Sequence, residues 1–114
     1  MTPKYFVAPK PAVKVFPDGR EVCNLKVKAG KQEYYQRTIT MLIDQMMRCA
    51  ICHRPLDIIW AYFDHEAGRG SGGGHRDDRI EVDGHKQNAA VCRRCNSEKG
   101  SKRYHWVDGV YIPV

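Results

Sequence analysis

No long hydrophobic run interrupts this sequence. Nowhere do its 114 residues gather the ~20 consecutive apolar side chains that a membrane span requires. The apolar core of a secretion signal is missing too, since Met1-Thr-Pro-Lys-Tyr-Phe-Val runs on to Pro9 and Pro11; a cytoplasmic location is expected. Acidic residues are scarce. Thirteen Asp and Glu against nineteen Lys and Arg leave a net charge of +6, which leans toward an acidic partner such as nucleic acid. Many chains of that charge bind nothing anionic, so the lean excludes little. Internal repeats are absent, and so is any sign of a second domain. With 42% hydrophobic and 28% charged residues, the chain belongs with folded globular domains that bury one modest core.

Five cysteines are many for this length, and an odd number without a secretion signal argues against a disulfide framework. Four form two pairs, Cys49-x-x-Cys52 and Cys92-x-x-Cys95, with 39 residues between them. Each pair lets the chain turn tightly and aim two thiolates at one tetrahedral ion, so the spacing reads as a single four-cysteine zinc site. Such a site is structural, because four thiolates leave no position for water or substrate. A redox dithiol is the competing reading, but two pairs without a βαβ pattern disfavour it. His53, beside Cys52, is an alternative ligand that the four thiols make unnecessary. Cys23 stands alone and reads as a small buried hydrophobe.

The organisation predicts an α+β chain. Val13 and Val15 alternate with polar residues, Pro17-Asp18-Gly19 signals a turn, and Glu21-Val22-Cys23 returns as a partner strand. From about Lys31 to Arg48, Tyr35, Ile39, Leu42, Ile43 and Met46 recur at helical spacing, with Gln45 on another face. Leu56 to His65 is β-branched and aromatic, the composition of a strand. Gly68 to Gly74 is a flexible loop without the spacing of a phosphate-binding P-loop, and His75 to Asp83 is charged. Asp77 and Asp78 read there as loop caps or ion-pair partners of Arg76 and Arg79. Asn88-Ala-Ala-Val91 is short and apolar, Arg93 to Lys99 suits a short helix stopped by Gly100, and Trp106, Val110, Tyr111 and Ile112 suit a final strand or turn.

The zinc pairs bring Phe63-Asp64-His65 toward Cys95-Asn96-Ser97, with Asn88 nearby in sequence. Together, Cys49-x-x-Cys52, Asp64-His65, Asn88 and Cys92-Arg-Arg-Cys95-Asn96-Ser-Glu-Lys99-Gly100 resemble the zinc-knuckle HNH endonucleases of the ββα-metal (His-Me finger) fold. The arrangement is similar to short phage-encoded HNH nucleases, and its Cys-x-x-Cys-Asn ending resembles recombination endonuclease VII. The resemblance covers Cys49 to about Arg103. It implies an N-terminal arm and hairpin (residues 1–30) ahead of a nuclease unit (31–114), and a metal-dependent DNA endonuclease leaving 3′-hydroxyl and 5′-phosphate ends. It also implies that His65 is the general base, that Asp64 and Asn96 ligate one catalytic Mg²⁺ or Mn²⁺, and that Asn88 braces the loop and orients the base. In many relatives the middle Asn lies five residues before the third zinc cysteine, where this chain has Gln87; the two remain alternatives.

The chemistry agrees with these residue types. A neutral imidazole, with an unperturbed pKa near ~6.5, takes a proton from water at neutral pH. One carboxylate and one amide hold Mg²⁺ weakly, and substrate phosphate completes the shell. Adjacent residues on a strand point to opposite sides, so Asp64 and His65 share a site only where the strand ends or twists. A plainer reading exists for each: a structural histidine, capping by Asp64 and Asn96, an Asx turn at Asn88. Arg93, Arg94, Lys99, Lys102 and Arg103, with Arg69 and Arg76 from the loop, are candidate phosphate contacts; a solvated helix face is the alternative for that run. The expected partner is DNA, with the chain as monomer or homodimer and a phage packaging or recombination partner suggested by the resemblance. The competing function is a non-catalytic, zinc-dependent nucleic-acid-binding module; a zinc-stapled protein-interaction domain ranks behind it.

Overall fold

A computed structural model describes residues 10–66 and 76–114. The expected loop at 68–74, with Arg69, lies outside the described residues, as do Pro3, Pro9 and His75. Among the described residues the fold is α+β, with two helices and small antiparallel sheets. No helix is long and apolar enough to cross a membrane.

Strands β1 (Val13–Val15) and β2 (Glu21–Cys23) pair antiparallel around the expected turn, where Gly19 adopts φ +91° and Asp18 Oδ1 accepts the Arg20 N–H at 3.2 Å. Helix α1 spans Lys28–Asp44, starting three residues before and ending four residues before the expected bounds. Its first turn is possible because residue 30 is glycine: a Cβ there would lie 1.9 Å from the Asn24 carbonyl oxygen. Its end is set by Met46 and Met47, both in the left-handed region, whose N–H groups bond the Ile43 and Leu42 carbonyls.

The buried face of α1 is turned from the expected stripe. Thr38, Met41 and Leu42 are buried and Tyr34 packs beside them, whereas Ile43 is 61% and Met46 79% exposed. Tyr34-Tyr35 and Met41-Leu42-Ile43 are apolar in succession, so spacing alone admits two faces one residue apart. Packing against β6 (Ala89–Cys92) selects one of them. Gln45, expected on a polar face, closes a two-way bond with Ala90, its amide donating to the carbonyl and its oxygen accepting the N–H, both at 2.8 Å. Ala89 and Ala90 are fully buried, small enough for the helix to approach closely.

The expected strand from Leu56 shortens to β3 (Ala61–Asp64). The Asp57 carboxylate accepts the Ile59 N–H at 3.1 Å and holds Ile58–Trp60 in a 3₁₀ turn instead. Strand β3 pairs antiparallel with β6, Ala61 opposite Cys92 and Asp64 opposite Ala89. Helix α2 (Arg93–Lys99) follows β6 directly and packs on both strands, ending at Gly100 as expected. Between the paired strands lies the minimal hairpin of β4 (Glu81–Val82) and β5 (His85–Lys86), turning at Asp83-Gly84. The tail, expected as one strand or turn, is a hairpin of β7 (Tyr104–Val107) and β8 (Val110–Pro113) around Asp108-Gly109. Both Asp-Gly pairs have positive φ at both residues, the backbone that such turns require.

Candidate metal centre and hydrolytic site

Two tight turns build the metal centre. In the first, a bridge between Arg48 and Pro55 closes a loop in which the Cys49 N–H reaches the Arg54 carbonyl at 2.9 Å and the His53 N–H reaches the Cys49 carbonyl at 3.0 Å. In the second, Cys92 ends β6 and Cys95 lies in the first turn of α2. The four sulfurs fall within 4.8 Å of one another, with Cys52 and Cys92 Sγ 4.0 Å apart. A tetrahedral zinc with bonds near ~2.3 Å spaces its sulfurs by roughly 3.8 Å, so the four cysteines fit a zinc ion. Burial pushes the Cys49 and Cys95 thiols up, while at Cys92 the Cys95 N–H and the neighbouring thiols overcome burial and bring it down. His53 is exposed, at left-handed φ, and outside the cluster.

His65 follows the end of β3 and is buried. Its ring lies against Phe63 at 4.8 Å between centroids, and Phe63 stacks on Tyr34. Its Nε2 is 2.7 Å from Asp78 Oδ1. Asp78 is 0% exposed and also accepts from Arg76 Nη2 at 2.7 Å, from Arg76 Nε, and from the Cys23 N–H at 2.8 Å. Burial opposes the Asp78 charge, but the bonds from His65, Arg76 and Cys23 outweigh it and hold the carboxyl far below the carboxylate range. An ionised carboxylate only accepts, so it selects the tautomer with hydrogen on Nε2, in which Nδ1 is the ring's acceptor nitrogen. His65 is 6% exposed.

Asp64, the last residue of β3, takes partners other than those of the His65 ring. Its Oδ2 accepts the Tyr111 hydroxyl at 2.6 Å and its Oδ1 lies 3.2 Å from Lys99 Nζ. The residue is 4% exposed. Burial and the Asp64 charge together push the Tyr111 phenol far up, so it stays a donor. Lys99 Nζ also donates to the His65 carbonyl at 3.0 Å. Lys99 is therefore an internal clamp on the strand end, with no free ammonium for a phosphate. As arranged, Asp64 does not offer a free carboxylate to a divalent ion. Asn96 is half-buried in α2, on the face shared with Cys92, Cys95 and Lys99 at helical spacing.

Asn88 is buried and fully employed. Its Oδ1 accepts the Glu66 N–H at 3.1 Å, and its Nδ2 donates to the Asp77 and Arg79 carbonyls at 2.8 and 2.7 Å. It thus ties the residue after His65 to the residues on either side of Asp78. Gln87 donates to the Arg79 carbonyl and bonds the Asp77 carboxylate. Comparison with protein-family models, curated proteins and solved structures finds no match for this chain.

Of the candidate phosphate contacts, Arg93, Lys102 and Arg103 are exposed, and Arg94 is exposed while pairing with Glu98. Arg76 is turned inward onto Asp78 and over the Tyr34 ring. The residue that sequence reasoning passed over is Asp78. Two adjacent aspartates between two arginines read as ion-pair partners, and both pairs form, Asp77 with Arg79 and Asp78 with Arg76. Nothing local in the sequence marks Asp78 as the partner of a histidine 13 residues away.

Proposed function

We propose that this protein is a zinc-stapled DNA endonuclease that hydrolyses phosphodiester bonds with His65 as general base. The observation that carries the reading is the His65–Asp78 pair: a buried imidazole whose Nε2 is held by a buried carboxylate, which leaves Nδ1 as the proton-accepting nitrogen of the neutral ring. Water on Nδ1 loses its proton to the ring as it attacks phosphorus, and Asp78 balances the imidazolium that forms. Asn88 keeps the two loop ends in register around that pair, and the four-cysteine centre ties the Cys49–Cys52 turn to the end of β6 and the start of α2. The sequence resemblance adds DNA as the polymer and 3′-hydroxyl and 5′-phosphate as the ends. It also adds a divalent ion on Asp64 and Asn96, whose binding would have to loosen the Lys99 and Tyr111 contacts to Asp64.

The test is nicking of supercoiled plasmid by zinc-loaded protein, with and without Mg²⁺ or Mn²⁺, beside His65→Ala with its zinc content measured. The expected result is cleavage that falls by about 10²–10⁴-fold in the variant at equal zinc content. Cleavage that persists in His65→Ala removes the base from the proposal. A second reading, a zinc-dependent nucleic-acid-binding module without cleavage, is favoured by the closed Asp64. Plasmid retention without nicking under every ion would establish it.

A further inference from the structure

The β1–β2 hairpin and the chain entering and leaving it enclose a groove of about 430 Å³. Lys10, Lys14, Lys26 and Arg76 line it, with Pro11, Val22 and Leu25 among its apolar walls, and no carboxylate lines it. The three lysines are exposed, and none joins an ion pair among the described residues. Lys14 lies over the Phe16 ring, 4.8 Å from its centroid, which positions the ammonium without neutralising it. Of the remaining polar lining, Asn24 is an uncharged amide and Cys23 is a thiol that burial pushes up to about 11, so neither adds negative charge at neutral pH. Such a concentration of uncompensated cations in a concave surface attracts a polyanion.

The groove does not stand apart from the candidate site. Arg76, at its inner wall, donates to the Cys23 carbonyl at 3.3 Å and grips Asp78, which holds His65. The Cys23 N–H meets the same carboxylate. One wall of the groove is therefore the outer support of the His65 ring. A chain of phosphates seated on the lysines passes directly beside that support.

We infer that the hairpin groove is a binding track for a nucleic-acid backbone, with Lys10, Lys14 and Lys26 contacting successive phosphates that lead toward His65. The inference rests on the proposed nuclease reading for its direction, while its occupant follows from the groove's charge. The contacts are to backbone alone, so they set position and leave base identity unread.

The experiment is fluorescence anisotropy of a labelled duplex with zinc-loaded full-length His65→Ala protein, across a series of salt concentrations, with and without Lys10→Gln, Lys14→Gln and Lys26→Gln combined. Each phosphate contact contributes about −0.9 to the slope of log K against log salt. The triple variant should flatten that slope by about two to three and weaken binding about tenfold or more near 0.1 M salt, at unchanged melting temperature and zinc content. An unchanged slope in a folded variant overturns the track. If the combined variant melts early, the three single variants are read instead, each expected to take about one from the slope. Polyglutamate binding as tightly as the duplex, with the same dependence on the three lysines, overturns nucleic acid as the occupant. Because binding is read without cleavage, loss of plasmid nicking removes the enzyme reading and leaves the track standing.

Discussion

Asp78 concentrates more of the molecule's chemistry than any residue around it. Three hydrogen bonds from two Arg76 nitrogens, one from a backbone N–H and one from His65 converge on a carboxylate with no solvent access. Replacing it by Asn keeps the shape but lets the amide donate toward Nε2, which favours the tautomer with hydrogen on Nδ1 and removes the proton acceptor. Asp78→Asn should therefore lower plasmid cleavage about 10²-fold or more while duplex affinity holds, and should change the pH profile as well as the rate. A loss of affinity with an unchanged profile would mean a purely structural acid. Lys99 poses the opposite case. It was expected at a phosphate, yet at 3% exposure it neutralises Asp64. Lys99→Met leaves that carboxylate buried and unpaired, and breaking such a pair costs about 3–5 kcal/mol. Thermal unfolding should show it as a large drop in melting temperature, whereas a surface lysine would leave the melt unchanged.

At the level of elements, helix α1 shows propensity losing to close packing. Gly30 sits in its first turn, where Ala would ordinarily gain about 1 kcal/mol. The Asn24 backbone lies where a Cβ would go, at 1.9 Å, and backbone cannot rotate away as a side chain can. Gly30→Ala should thus destabilise, by about 1–3 kcal/mol as overpacking does, and a denaturant titration that shows a gain would refute the contact. Strand β3 makes a similar point about direction. Because it ends at Asp64, the backbone condition for Asp64 and His65 to serve one site is met, yet their side chains take separate partners, Lys99 and Tyr111 for Asp64 and Asp78 for His65.

Across the whole molecule, the four cysteines join segments 39 residues apart, and the core beside them is small: Met41, Leu42, Leu56, Phe63, Val91 and Tyr111 are its larger members. Metal affinity in such a chain is folding free energy. Chelation of the zinc should unfold most of the secondary structure, read by far-ultraviolet circular dichroism, and one equivalent of zinc should restore it; retained structure would make the cluster dispensable. Acid acts through a second route. At Asp77, burial pushes the carboxyl up, but bonds from Arg79, Gln87 and two backbone N–H groups prevail and hold it at about 2, below its ordinary 3.8. A depressed folded value means stability that is complete above the unfolded pKa and fades as pH falls from about 4 toward 2, on the order of 2 kcal/mol for this group. Since acid also strips zinc from thiolates, the check is the difference in acid unfolding between the native chain and Asp77→Asn, which should vanish toward pH 2.

What the sequence determined by itself was whatever is written in short-range spacing. The cysteine pairs announce their cluster, Pro17-Asp18-Gly19 announces its turn, and Gly100 ends α2. The two Asp-Gly turns were equally legible and went unread. Tertiary structure alone decided the rest. Packing on β6 chose between two faces of α1 that spacing left equal, and the end of β3 sent Asp64 to Lys99 and Tyr111. Contacts between residues 13 to 56 positions apart turned one of two adjacent aspartates toward His65, and made Arg76 a wall of a basic groove. Local spacing records which residues are neighbours along the chain, while burial and charge pairing depend on which surfaces meet when it closes.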